Sequence, residues 1–243
     1  MHGPRIYFPQ SLLPNQQYSL DENNFAHLVR VLRLNQGDSL RVFDGMGNEY
    51  AGELTDVQKK SAVFVIKSLL QQQEKPQLQL HLGQVMSKGD RMDFTVQKAT
   101  ELGINEITPL WSERCDVRLK GERLDKKLEH WQNIAISASQ QSGRCWVPII
   151  HPPLHFLDWA KARTEDICLL LHPHQQQPLS EYAAPNSIAL LIGPEGGFSE
   201  LEVQQAAAEN FTGLTLGPRI LRTETASLTA LSILQFLWGD LAG

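Results

Sequence analysis

Two glycine-proline pairs, each closing a short apolar run, constrain the fold more than any other feature of this sequence. The first run, residues 189–192, ends at Gly193-Pro194, and the second, residues 214–216, ends at Gly217-Pro218. Glycine admits backbone angles closed to other residues, whereas proline fixes φ and lacks an amide proton. Because a strand cannot continue through such a pair, the sequence predicts two buried strands, each followed by an exposed loop.

A helix is expected after each loop. Ser199 and Glu202 have the S-x-x-E spacing of a capping box, and residues 226–238 form a long apolar run after the second loop. Successive strand–loop–helix units predict an α/β fold with a mostly parallel sheet, which binds ligands beside the carboxyl ends of its strands. One glycine-proline pair alone is typical of an ordinary turn. Two such loops, expected side by side and each carrying a charged residue, favour a small-molecule site.

The sequence of the loops restricts the ligand. Neither loop contains the G-x-G-x-x-G fingerprint of a dinucleotide site, and neither continues into the Gly-Lys-Ser/Thr of a P-loop. The predicted ligand is therefore not held through a pyrophosphate. His172 and His174 follow the predicted strand 167–171, but no third ligand has suitable spacing, so no metal is expected.

Cysteine usage and hydropathy indicate a cytoplasmic protein. Cys115, Cys145 and Cys168 are odd in number, widely spaced and without a C-x-x-C pair, which argues against disulfides and a zinc site. No apolar run approaches the roughly 18 residues of a membrane span. Residues 1–5 lack the apolar region of a signal peptide. The net charge of −5 means that any nucleic-acid contact must come from local clusters of Arg and Lys.

The amino-terminal region is predicted to be a small β domain. Residues 7–64 are mostly β-like, and the alternation at 39–44 leads into a turn-rich cluster. Within this region, residues 27–33 predict a short helix on which Arg30 and Arg33 share a face and bind phosphate. The polar segment 71–77, which contains proline, is predicted to be a linker.

In the remainder of the chain, predicted strands alternate with predicted helices. Strands are expected at 78–85 and 107–110, and helices at 92–102 and 122–142. Basic residues are dense around the longer helix, where they form either a solvated, salt-bridged face or a polyanion contact. These residues are Arg114, Arg118, Lys120, Arg123, Lys126, Lys127 and Arg144.

At this point the sequence resembles a known class. Residues 193–199 (GPEGGFS) and 216–226 (LGPRILRTETA) resemble the SPOUT class of trefoil-knot RNA methyltransferases, and within it the ribosomal RNA small subunit methyltransferase E family. Residues 27–33, 98–103 and 112–114 match further segments of that family. One departure is Gln140, where the family pattern leads us to expect Glu, so no proton-accepting role is assigned there.

The resemblance implies a fold, a cofactor and partners. It implies a PUA-like, RNA-binding β-barrel over residues 1–72 and a trefoil-knotted α/β methyltransferase domain over residues 78–243. It also implies a homodimer that uses S-adenosylmethionine to methylate N3 of a uridine in 16S ribosomal RNA of the 30S subunit. The cofactor would be bound by Leu171, His172, Ile192, Gly193, Pro194, Glu195, Gly197, Leu216, Gly217, Ile220, Leu221 and Thr225.

Roles in the reaction follow from its chemistry. N3 must lose a proton, which a base assists directly and a cation assists by stabilising charge on the neighbouring carbonyl oxygens. Arg222 is the first candidate for that cation and Arg219 the second. Glu195 and Glu224 are the available carboxylates, although capping a helix or pairing with arginine is the more expected duty for both. RNA contacts are predicted at Arg30, Arg33, Lys88, Arg91, Arg114 and Arg144.

Two alternatives remain open at the level of sequence. A SPOUT enzyme could instead methylate a ribose 2′-oxygen or a purine nitrogen. A ribosome assembly factor could retain the cofactor pocket without catalysis, although the intact charged residues of both loops argue against decay of the site.

Overall fold

The computed structural model of the chain describes residues 3–117, 119–172 and 178–242. The chain divides into two compact units. Met1–Lys75 and Ser139–Val147 form the first unit, and Pro76–Ala138 and Pro148–Gly243 form the second. Ser139–Val147 therefore belongs to the first unit, although it lies within the predicted domain 78–243. No helix among the described residues is long and apolar enough to cross a membrane.

The first unit contains a five-stranded sheet in the order β1-β3-β4-β5-β2. The β1 and β3 strands are parallel, and the other neighbours are antiparallel. Ile6, Leu28, Val42 and Phe64 are fully buried in its core. The predominantly β character predicted for residues 7–64 is confirmed. The strands are β1 (Arg5–Tyr7), β2 (Gln17–Ser19), β3 (Ser39–Phe43), β4 (Asn48–Val57) and β5 (Ala62–Gln72).

The helical segment of this unit differs from the prediction. A short α-helix, α1 (Glu22–Phe25), continues into a π-helical turn, Ala26–Val31. Arg33 lies beyond the turn in the left-handed region, with φ of 58°. The Leu34 amide then donates to the Leu28 carbonyl at 3.0 Å. The prediction that Arg30 and Arg33 share a helical face is wrong, because the helix ends before Arg33.

The predicted linker is also wrong in part. Strand β5 continues through Gln72, so the first two residues of 71–77 belong to the sheet. The Gln73 amide donates to the Gly47 carbonyl at 2.7 Å, and its Oε1 accepts from the Cys145 amide at 2.8 Å. Polar composition alone did not reveal these partners, because Cys145 is distant in sequence.

The second unit is built on a fully parallel sheet. Its strand order is β12-β10-β11-β6-β7-β8, and β9 also pairs with β7. Burial on both faces explains the nearly continuous apolar strands, and the mostly parallel sheet predicted from sequence is confirmed. The strands are β6 (Gln79–Val85), β7 (Glu106–Trp111), β8 (Ile149–Ile150), β9 (Leu154–His155), β10 (Ile167–Leu171), β11 (Ser187–Ile192) and β12 (Thr212–Leu214).

The helices agree closely with the apolar periodicity of the sequence. The predicted helix at 92–102 is α2, which is followed by Gly103 at φ of 88°. The predicted helix at 122–142 is α3, with the same bounds. The short helix α4 was not predicted. The helices are α2 (Arg91–Glu101), α3 (Glu122–Ser142), α4 (Phe156–Lys161), α5 (Glu200–Ala208) and α6 (Thr223–Trp238), with a 3-10 turn at Leu179–Glu181.

The strand order corrects one further expectation about the two glycine-proline loops. Strands β11 and β12 are not neighbours, because β10 lies between them. Strand β12 also ends at Leu214 rather than at Leu216. It ends there because its partner β10 ends at Leu171, after which the His172 amide donates to the Leu214 carbonyl at 3.1 Å.

Candidate functional site

The carboxyl ends of β10, β11 and β12 bring the predicted cofactor residues to one edge of the sheet. Leu171 ends β10, and Ile192 ends β11 directly before the first glycine-proline pair. The Thr215 hydroxyl donates to the His172 carbonyl at 3.1 Å, which ties the approach to the second loop to the end of β10. The site therefore involves three strand ends rather than two adjacent loops.

The first loop, residues 193–199, has a defined backbone. The Gly197 amide donates to the Pro194 carbonyl at 2.9 Å, which closes a tight turn. A Cβ at Gly193 would lie 3.1 Å from the Phe198 ring, so any other residue would require that ring to shift by a few tenths of an ångström. Ser199 and Glu202 form the predicted capping box at the start of α5.

The glycines of both loops leave space beside the main chain. Gly197 and Gly217 have φ of 65° and 78°, values that L side chains rarely adopt. A Cβ added at either position would meet no atom of the described residues within 4 Å. Exposed main chain with open space beside it suits a ligand that is bound by backbone amides and carbonyls, such as an adenine ring.

Charged side chains from two other segments contact the first loop. Arg91, the first residue of α2, forms an ion pair with Glu195, and both side chains are about 40% exposed. Arg114 donates from Nη1 to the Gly196 carbonyl at 2.8 Å. The structure thus brings Arg91 and Arg114 to the loop and gives Glu195 an arginine partner.

The second loop, residues 216–222, presents two arginines. The side chains of Arg219 and Arg222 are exposed, and within the described chain neither has a hydrogen bond or an ion pair. Arg222 is the N-cap of α6, and its carbonyl accepts from the Ala226 amide at 2.8 Å. The amino end of this helix adds a partial positive charge, so the loop favours a ligand group that carries or develops negative charge.

A set of buried polar residues beneath the loops was missed at the sequence level. Gln84 of β6 donates from Nε2 to the Thr223 hydroxyl at 2.9 Å, and Thr223 donates to the Gly193 carbonyl at 2.7 Å. Ser227, one turn later in α6, hydrogen-bonds Gln84 Oε1. A glutamine within an otherwise apolar strand was the available signal, because buried amides need hydrogen-bonding partners.

The predicted RNA-binding residues belong to both units. In the first unit, the Arg30 guanidinium lies 5.3 Å from the centre of the Phe25 ring, and Arg33 is exposed. The main chain of Arg144, also in that unit, accepts from Arg5 at 2.8 Å. In the second unit, Lys88 pairs with Asp116 at 2.7 Å on the surface. Arg118 of the basic cluster lies outside the described residues.

A group of potential metal ligands lies at the opposite, amino-terminal edge of the sheet. Among the described residues, His81, Glu106 and His151 place one ligand atom each within 4.8 Å of one another. The Arg163 guanidinium already contacts His81 Nδ1 and lies 3.1 Å from Glu165, so a cation occupies this position. The group is remote from the loops, and we assign no metal to it. His174 of the predicted histidine pair lies outside the described residues.

The pKa values of His81 and of the neighbouring Glu165 carboxyl are both lowered in the folded protein. Burial lowers the pKa of His81, against the raising effect of its hydrogen bond to Glu165. Burial alone would raise the pKa of Glu165, but hydrogen bonds from His81 and the main chain, together with the Arg163 charge, lower it to about 2. The lowered pKa of Glu165 means that its ionised form stabilises the fold, whereas the lowered pKa of His81 means that the fold favours the neutral imidazole.

Comparison with known proteins identifies related chains. An RNA methyltransferase domain matches residues 73–235, and an RNA methyltransferase PUA domain matches residues 20–67. The ribosomal RNA small subunit methyltransferase E of Buchnera aphidicola (subsp. Schizaphis graminum) is 38% identical over 242 residues, 98% of each chain.

Two solved structures of similar proteins contain S-adenosylmethionine. A methyltransferase from Legionella pneumophila is 40% identical, with a TM-score of 0.95 over 99% of this chain and 100% of its own. A ribosomal RNA small subunit methyltransferase E from Neisseria gonorrhoeae is 39% identical, with a TM-score of 0.91 over 99% and 100%. With these matches spanning both units, the chain belongs to the ribosomal RNA small subunit methyltransferase E family of RNA methyltransferases.

Proposed function

We propose that this protein transfers a methyl group from S-adenosylmethionine to N3 of a uridine in 16S ribosomal RNA. The observation that carries the proposal is the similarity along the whole chain to proteins crystallised with S-adenosylmethionine. The open main chain at Gly197 and Gly217 supports a cofactor site at the carboxyl edge of the sheet. The choice of uridine N3 rests on the resemblance of residues 193–199 and 216–226 to the family.

The proposed cofactor site uses backbone and apolar side chains. The adenosine would contact Leu171, Ile192 and Leu216. Main-chain amides and carbonyls of both loops would form hydrogen bonds with the polar edge of its adenine base. Within this proposal the loops form a trefoil knot. Glu195, held by Arg91, keeps the first loop in place rather than acting as a base. Gly193 and Phe198 pack together and limit the movement of the same loop.

The chemistry needs orientation and charge stabilisation. When bound, S-adenosylmethionine supplies an electrophilic methyl group on a sulfonium. The residues of the site align the acceptor for in-line attack, and orientation of this kind contributes roughly 7–11 kcal/mol to lowering a barrier. Arg222 would stabilise the negative charge that spreads onto the uracil carbonyl oxygens as N3 loses its proton. Arg219 on the same loop would add to this field.

RNA docking would use basic residues of both units. We propose that the first unit is a PUA-like module in which Arg30 and Arg33 contact phosphates. Arg144 of that unit, and Lys88, Arg91 and Arg114 of the second, would contribute further contacts. Phosphate contacts of this kind give affinity that falls with salt concentration.

We further propose a cytoplasmic homodimer. Phe94 of α2 and Phe236 of α6 are 45% and 61% exposed, and the two helices pack against each other within the second unit. Because single exposed apolar residues are common on protein surfaces, we propose that these two side chains belong to one apolar patch that the second copy covers. Cys115, Cys145 and Cys168 are free thiols, which suits a reducing compartment. Light scattering of the purified protein measures the dimer directly.

The test of the reaction is a labelled-methyl assay on 30S subunits isolated from cells that lack this modification. We expect transfer to RNA and, by mass spectrometry of nucleosides, the appearance of 3-methyluridine. A 2′-O-methyl or methylpurine product would assign the enzyme to another target. Cofactor binding without transfer to any ribosomal particle would favour a non-catalytic assembly factor.

A further inference from the structure

A directional chain of hydrogen bonds joins the first loop to the start of α6. The Gly193 carbonyl can only accept, so the Thr223 hydroxyl donates to it across 2.7 Å. With its proton so used, the Thr223 oxygen accepts from Gln84 Nε2 at 2.9 Å. The second Nε2 proton goes to the Val85 carbonyl at 3.1 Å. Gln84 Oε1 therefore faces the Ser227 hydroxyl, so both polar atoms of the Gln84 side chain have a partner. The Ser227 hydroxyl also lies 2.9 Å from the Thr223 carbonyl, and its single proton is shared between the two acceptors.

The residues that form this chain of hydrogen bonds are shielded from water. Gln84 and Ser227 are 1% and 0% exposed, and Thr223 is 6% exposed. A buried amide is costly unless it is hydrogen-bonded, and an apolar side chain would pack at this strand position without that requirement. The final acceptor, however, is the Gly193 carbonyl, which lies in the first loop directly after strand β11 ends at Ile192. The polar chain therefore fixes the path of a loop, which an apolar residue could not do.

Thr223 connects the two loops. Thr223 is the first residue of α6 and follows Arg222 at the end of the second loop. Its hydroxyl holds Gly193 at the start of the first loop. A displacement of Thr223 would therefore move the Gly193 main chain and the Arg222 backbone together.

We infer that Gln84 and Thr223 are positioning residues that hold the two loops at a fixed separation for the methyl donor. The inference rests on the proposed function, because it assigns the donor to these loops. Neither side chain contacts the reacting atoms in this scheme. Thr223 sets the distance between the loops, and Gln84 sets the orientation of the Thr223 hydroxyl.

The test compares Thr223→Val with Thr223→Ser. Valine keeps the volume but removes both hydrogen bonds, whereas serine keeps the hydroxyl. By calorimetry with S-adenosylmethionine, we expect Thr223→Val to raise Kd about tenfold, because loss of the two hydrogen bonds weakens donor binding only as far as it moves the loops, and Thr223→Ser to remain within about threefold of the unsubstituted protein. Thr229→Val is the matched control, because the partner of the Thr229 hydroxyl among the described residues is the Thr225 carbonyl of its own helix.

Separate outcomes test the inference and the proposed function. Unchanged Kd in Thr223→Val, with a lowered Tm, would mean that the chain only stabilises the fold and would overturn the inference. No binding by the unchanged protein would refute the proposed function as well. If Thr223→Val does not fold, the inference is tested with Gln84→Met instead. This variant removes the Gln84–Thr223 hydrogen bond and leaves the Thr223–Gly193 bond in place. A rise in Kd of about threefold is then expected, and no rise would refute the inference.

Discussion

Replacing Arg222 by alanine separates methyl transfer from cofactor binding. The Arg222 side chain is exposed and, among the described residues, has no hydrogen-bonding or ionic partner, so its truncation to alanine leaves the main-chain bond to Ala226 in place and breaks no side-chain interaction. Surface substitutions of this kind change stability by about 0.5 kcal/mol or less. Any large effect on turnover must then come from charge that develops during the reaction.

The expected loss of methyl-transfer rate in Arg222→Ala depends on the positive groups that remain near that position. Removing one group that stabilises transition-state charge costs about 2.7–4 kcal/mol, or about 10²–10³ in rate. The amino end of α6 remains in Arg222→Ala, as does Arg219 on the same loop. Because both still supply positive potential, we expect a loss near 10². The Kd for S-adenosylmethionine should change less than about threefold.

The assay is single-turnover transfer of a labelled methyl group to undermethylated 30S subunits, with calorimetry for the cofactor. Arg222→Lys, which keeps the charge, should recover part of the rate, and Arg219→Ala should lose less than Arg222→Ala. Equal losses in rate and in cofactor affinity would contradict a role in charge stabilisation. An unchanged rate would remove Arg222 from the mechanism.

Three further predictions concern stability, RNA and pH. Arg5→Met should lower the free energy of unfolding by about 3 kcal/mol in urea titrations, because the buried Glu49 carboxylate loses its partner at 2.8 Å and keeps the more exposed Arg41 at 3.5 Å. Lys67→Met, which breaks an exposed pair, should cost about 1 kcal/mol or less, and equal costs would refute the distinction. Replacing both Arg30 and Arg33 by Glu should weaken binding to 30S particles and flatten its salt dependence by about 1.5 log units per decade, with cofactor Kd unchanged. An unaltered salt dependence would exclude phosphate contacts there. Because the pKa of Glu165 is lowered from 4.5 to about 2 in the fold, its contribution is present above pH 4.5 and is lost as pH falls toward 2. Thermal melting of Glu165→Gln should be less sensitive to acid over that range than melting of the control Glu200→Gln, and parallel profiles would contradict the shift.

Periodic elements were predictable from the sequence because one residue pattern fixes each of them. The bounds of α3 follow from a sustained apolar stripe, and those of β10 from a short apolar run. The capping box at Ser199 was predictable because Glu202, its partner, is three residues away. In each case the interactions that determine the element lie within it or beside it in the chain.

Features that depend on distant partners were not predictable. The end of β12 is set by the end of β10, and the placement of β10 between the two loop-bearing strands is a property of the whole sheet. The partners of Gln73 include residues 47, 143 and 145, which are distant from it in the sequence. The hydrogen bonds from Gln84 through Thr223 to Gly193 connect two residues that are more than 100 positions apart in the sequence. The sequence around one of these residues therefore does not predict its partners. Local patterns thus identified the loops, and tertiary contacts determined what holds them.

A crystal structure with S-adenosylmethionine, or with its demethylated product, tests the location of the donor most directly. We expect electron density at the carboxyl ends of β10, β11 and β12, in contact with the main chain of residues 192–197 and 216–221. Density at another place on the second unit, or none at saturating concentration, would contradict a cofactor site between the glycine-proline loops.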